Sequence, residues 1–167
     1  CIQQDVCENR RVKKAKHAGP GGSSAGKAYL ILGSTLAASS STSIDLSNAD
    51  FEFIGENSGD DAGYSVSPAG DVDGDGLSDI LVGALRHGSA HTFQGAAYVV
   101  LGRSLSTDRA ISLSDADYRL TGGSADQYAG HSVSSAGDVD GDGLDDVVVG
   151  SYYGPNWSGA AYIVTTR

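Results

Sequence analysis

The sequence predicts an all-β protein assembled from repeated, blade-like units of four antiparallel strands. Three observations carry that prediction. Glycine is very frequent, with 24 in 167 residues, while methionine is absent and the helix formers Glu, Lys and Gln are sparse. Short apolar runs alternate with Gly, Ser, Asn and Asp, the pattern of strands and turns. A long stretch also occurs twice, and no segment sustains the 3.6-residue period that a helical array requires.

The repeat is read most clearly from residues 62–83, AGYSVSPAGDVDGDGLSDILVG, and 129–150, AGHSVSSAGDVDGDGLDDVVVG, which agree at 17 of 22 positions at an offset of 67. The likeness extends outward. IDLSNADFEFIG (44–55) matches ISLSDADYRLTG (111–122), and GKAYLILG (26–33), GAAYVVLG (95–102) and GAAYIV (159–164) are three copies of one segment. The expected division is therefore an unassigned leader at 1–18, the tail of a preceding unit at 19–36, a complete unit at 37–105 and a second at 106–167. In the first unit the strands are expected near 51–55, 64–70, 79–85 and 96–102. DILVGAL and DVVVGSY are almost continuously apolar, as suits inner strands covered on both faces. Gly83, Gly95, Gly150 and Gly159 fit bends or close contact between sheets better than helix interiors.

Charge is uneven along the chain. The formal net charge is −10, yet residues 1–17 hold Arg10, Arg11, Lys13, Lys14 and Lys16. An acidic body excludes nucleic acid as its partner, since a phosphate backbone needs a basic face. No run of 18 apolar residues exists, so no helical membrane span is expected. Cys1 and Cys7 lie in the basic segment at a closable separation, and nothing makes them a metal site. The chain begins without an initiator Met or a signal peptide and reads as a piece of a longer protein.

DVDGDGLSD places Asp71, Asp73, Asp75 and Asp79 at positions 1, 3, 5 and 9 of a loop; DVDGDGLDD does the same with Asp138, Asp140, Asp142 and Asp146. Four carboxylates in nine residues repel one another unless a cation intervenes. Oxygen ligands at alternate positions suit a hard cation with six to eight ligands, so two Ca2+ sites are expected; Mg2+ demands a stricter octahedron. Leu77 and Leu144, at position 7, would offer backbone carbonyls, and Gly76 and Gly143 permit the turn. An EF-hand shares the early spacing but needs Glu at position 12, where Val82 and Val149 stand.

With these loops, each unit resembles an FG-GAP repeat, the repeat of integrin α-chain β-propellers. The similarity covers about 19–167. It implies that the Asp loop joins the first two strands of a blade, that seven blades normally close the ring, and that the parent function is adhesion or protein–ligand binding. The name-giving positions depart from the pattern: AGY (62–64) and AGH (129–131) stand for FG, and GAL (83–85) and GSY (150–152) for GAP. Two units and a tail form an incomplete propeller, so further blades or self-assembly are needed to close the ring.

Catalytic motifs are weak. GSSAG (22–26) fits G-x-S-x-G around Ser24 but precedes a strand rather than a helix. His87 and His91 read as loop histidines, and His131 stands where the other unit has Tyr64. Asn156-Trp157-Ser158 is a glycosylation sequon in a secreted eukaryotic protein. Trp157, Tyr152 and Tyr153 fit either loop packing or a partner surface. The leading expectation is a non-enzymatic, calcium-binding segment of an extracellular or cell-surface protein that meets another protein or surface ligand. The second expectation is an accessory propeller segment of a larger secreted enzyme, with the active site elsewhere. The third is a structural array without a ligand.

Overall fold

A computed structural model describes residues 11–15, 24–89, 92–105, 108–153 and 158–166. Cys1, Cys7, His91, Asn156 and Trp157 lie outside the described residues. The fold is all-β, in mostly antiparallel sheets of three or four strands, with one short α-helix among the described residues, α1 (Gly33–Ala38). The larger sheets are the blades of an incomplete propeller.

The first sheet joins β1 (Arg11–Ala15), β2 (Lys27–Ile31) and β3 (Phe51–Ile54) antiparallel, and β9 (Ala110–Ser112) lies parallel along its outer edge. The second runs β4 (Ala62–Gly70), β5 (Asp79–Ala84), β8 (Ala96–Val100) and β10 (Tyr118–Thr121), antiparallel throughout. The third comprises β11 (Ala129–Gly137), β12 (Asp146–Ser151) and β13 (Ala160–Val164). A small hairpin, β6 (Gly88–Ser89) with β7 (Thr92–Phe93), projects from the second sheet.

Sheet and sequence repeat are out of phase by one strand. β3 opens a sequence unit but pairs with β2 of the unit before it, and β10 likewise pairs with β8. Pairing across the unit boundary ties each sheet to the next, so a single unit could not form a complete sheet alone.

β5 is buried along its whole length, as its apolar run predicts, because sheets lie on both of its faces. Ile80 and Val82 face the first sheet in a cluster with Leu30, Phe53, Tyr98 and Val100. Leu81 faces the third sheet, with Val72, Val99, Leu101 and Val147. The close approach depends on glycine: a Cβ on Gly83 would lie 2.2 Å from the Gly130 carbonyl oxygen of β11. Pro68 is tolerated because β4 is an edge strand and leaves its ladder at a bulge between Pro68 and Gly70.

Candidate metal centre

Each Asp loop connects the first two strands of its sheet, β4 to β5 and β11 to β12. Local hydrogen bonds shape both loops alike. Asp71 accepts from the Gly74 amide at 2.8 Å through Oδ1 and from the Gly76 amide at 2.9 Å through Oδ2. Asp138 accepts from Gly141 at 2.6 Å and Gly143 at 2.9 Å in the same way. Asp75 and Asp142 take the amides of Leu77 and Leu144 at 2.8 and 2.9 Å. The last two are Asx turns, which aspartate forms readily with the backbone two residues on.

The ninth residue fastens each loop to its sheet. Asp79 is fully buried and accepts from Val72 N at 2.8 Å and Gly102 N at 2.7 Å. Asp146, equally buried, accepts from Val139 N at 2.8 Å and Thr166 N at 3.0 Å. Burial pushes the Asp79 carboxyl above the usual carboxylate range. The Gly102 and Val72 amides oppose that rise, and the charges of Asp75 and Asp71 add to it.

Three carboxylates of each loop bring one oxygen apiece within 4.8 Å of one another. In the first loop they are Asp71, Asp73 and Asp79; in the second, Asp138, Asp140 and Asp142. Asp75 and Asp146 stand in the same loops, engaged in the amide bonds just described. The donor set is oxygen only and strongly anionic, which fits a hard divalent cation. A carboxylate that accepts one amide per oxygen still has lone pairs free for a cation.

Two partners were not anticipated from sequence. The Arg103 guanidinium forms an ion pair with Asp73 Oδ2. Asp145, at position 8 of the second loop, accepts from Asp71 N and donates its own amide to Asp71 O, both at 2.9 Å. The first loop is thus clamped to the second. The aligned residue in the first loop is Ser78, so only the difference between the copies hinted at this role.

The other residues singled out in the sequence lie elsewhere. Ser24 is exposed in the turn before β2, at a left-handed φ of 70°, with its carbonyl accepting from Asp61 N at 3.4 Å. His87 Nδ1 lies 3.1 Å from both Asp60 Oδ2 and the Tyr98 hydroxyl. At the end of the strands opposite the Asp loops, His131 sits between Tyr64 and Tyr152, with ring centroids at 5.3 and 5.2 Å. Tyr152, Tyr153, Tyr128 and Phe93 continue this aromatic series.

The FG-GAP repeat family model matches residues 62–100 and 129–164, each match containing one Asp loop. The chain is 32% identical to integrin alpha-4 of Xenopus laevis over 120 residues, covering 70% of this chain and 11% of that one. It is 35% identical over 112 residues to integrin alpha-PS5 of Drosophila melanogaster, covering 66% and 10% respectively. Integrin alpha-PS2 of the same fly is 31% identical over 119 residues, covering 68% and 8%. The chain therefore spans about a tenth of the length of these relatives.

Proposed function

We propose, from the premise that this chain is an FG-GAP repeat protein of the integrin α type, that it is a non-catalytic, calcium-binding propeller segment. Its setting is extracellular or at the cell surface, and it serves adhesion or protein–ligand binding. The observation that carries the reading is the pair of Asp loops, each gathering three carboxylate oxygens within 4.8 Å inside a matched repeat.

Asp71, Asp73, Asp75 and Asp79, with the Leu77 carbonyl, would hold one Ca2+. Asp138, Asp140, Asp142 and Asp146, with the Leu144 carbonyl, would hold the second. Bound there, the cation supplies positive charge that turns carboxylate repulsion into coordination. The chain contributes the rest. Asx turns aim the first three carboxylates inward, and the buried ninth residue fixes the loop to the strand that follows. The aromatic series at the other end of the strands supports a protein-contact role, with Tyr152 56% exposed. Large amphipathic rings contribute strongly to interfaces.

Thermal unfolding in calcium and in EDTA tests the reading. At tenfold excess over Kd, each site adds about 1.4 kcal/mol to folded-state stability. Calcium should raise the unfolding midpoint of the native chain, and Asp73→Ala with Asp140→Ala should abolish most of that rise. An unchanged calcium response in the double variant would refute the site assignment.

A further inference from the structure

We infer that Asp145 couples the two Asp loops, so that a divalent cation held by one loop raises the affinity of the other. The inference rests on the calcium reading of both loops and adds a dependence between them.

The link is a pair of reciprocal bonds. The Asp71 amide donates to Asp145 Oδ2, and the Asp145 amide donates to the Asp71 carbonyl oxygen, both at 2.9 Å. Each end of this clamp lies at a proposed ligand. Asp71 is position 1 of the first loop, and Asp145 stands between Leu144 and Asp146, positions 7 and 9 of the second. A single peptide unit joins Leu144 to Asp145. Its carbonyl is the oxygen that would face the second loop's cation, and its N–H is the donor to Asp71. Positive charge drawn to that carbonyl polarises the peptide and makes the N–H a stronger donor, as in any chain of hydrogen bonds.

The two loops are also packed closely. A Cβ on Gly70 would lie 2.2 Å from Asp145 Oδ2, so the residue before Asp71 leaves the room that this carboxylate fills. A Cβ on Gly74 would lie 2.9 Å from Leu144 Cδ2, which places the side chain of position 7 of the second loop against the first. Beneath them, Val72 of the first loop and Val147, which follows Asp146, are buried in one apolar cluster. The clamp belongs to this pair of copies rather than to the repeat, since position 8 of the first loop is Ser78.

Loops joined in this way share the entropy of ordering. Without a cation, like charges push the carboxylates of each loop apart. Drawing the second loop together fixes Asp145, and the reciprocal bonds then fix Asp71. A cation entering the first loop meets a chain that is already ordered, and the loss of freedom on binding is smaller. The linkage is mutual, so each site raises the other's affinity by the same factor.

Hydrogen exchange and calcium titration test the coupling. Asp73→Ala leaves the second loop as the calcium site. In that variant calcium should slow exchange of the Leu144 amide and, across the clamp, slow that of Asp71 roughly threefold. Adding Asp145→Ser should remove the effect at Asp71 and keep it at Leu144. Asp145→Asn, whose side-chain oxygen still accepts from the Asp71 amide, should restore most of it. In calorimetry, Asp140→Ala should weaken calcium binding at the first loop about tenfold relative to the native chain. In the Asp145→Ser background, Asp140→Ala should weaken it no further. Protection at Leu144 without protection at Asp71 would overturn the coupling and leave the calcium reading standing. Protection at neither amide would overturn both. An effect at Asp71 that survives Asp145→Ser would overturn the assignment to Asp145.

Discussion

AGDVDGDGL is written twice in this chain, and the two copies live in different surroundings. Val72 is 5% exposed in the first copy, and Val139, the same residue in the same nonapeptide, is 52% exposed in the second. The internal hydrogen bonds are nearly superposable, from Asp71 to Gly74 and Gly76 and from Asp138 to Gly141 and Gly143. Loop shape is therefore a property of the nine residues, and burial is a property of the stack. The first loop is covered by Leu144 and Asp145 of the sheet behind it, while no described residue plays that part for the second.

The comparison can be broken at several points, beginning with the largest expected effect. Gly83→Ala would drive a Cβ to 2.2 Å from the Gly130 carbonyl, a backbone atom of the neighbouring sheet. Gly150→Ala meets chiefly the Ser132 hydroxyl at 2.1 Å, which can rotate away. Urea unfolding should show a cost of about 3 kcal/mol for the first and about 1 kcal/mol for the second. Equal costs would mean that the sheets do not stack as described.

Val72→Ala should cost about 2 kcal/mol, from two lost methyl groups and the cavity they leave. Val139→Ala should stay within about 0.5 kcal/mol, as exposed substitutions do. Comparable losses at both positions would show that the second loop is covered in solution.

The smallest effect concerns Tyr98. Burial raises its phenol well above the ordinary value of 10.0; the charges of Glu56 and Asp60 and a hydrogen bond to Glu56 add to this, while Arg119 opposes it. Above pH 10 the unfolded chain ionises this tyrosine and the folded chain does not, so stability is intact below pH 10 and falls as pH rises past it. Tyr98→Phe should remove that part of the decline. An alkaline stability slope equal in both proteins would show that Tyr98 is not held neutral by the fold.

Much of the site was legible in sequence because its rules are local. Asp at alternate positions bonds amides two to five residues away, the i+2 bonds forming Asx turns, and the glycines between them permit the turns. The apolar run of β5 announced a strand covered on both faces, and burial of all six residues agrees. Arg103 and Asp145 were not legible, since each acts on a loop far away in sequence. The tilted ring contact between His131 and Tyr64 of another sheet was hidden in the same way.

The sequence by itself determined the strands, the two Asp loops and the repeat, because strand alternation and turn chemistry are settled within about ten residues. Only the tertiary structure decided where a sheet ends, which loop is buried, and that β3 and β10 complete the sheet before their own unit. Those choices rest on pairing between strands twenty or more residues apart and on the packing of one sheet face against the next. Two identical nonapeptides cannot encode different neighbours, so that difference arises only when the sheets stack.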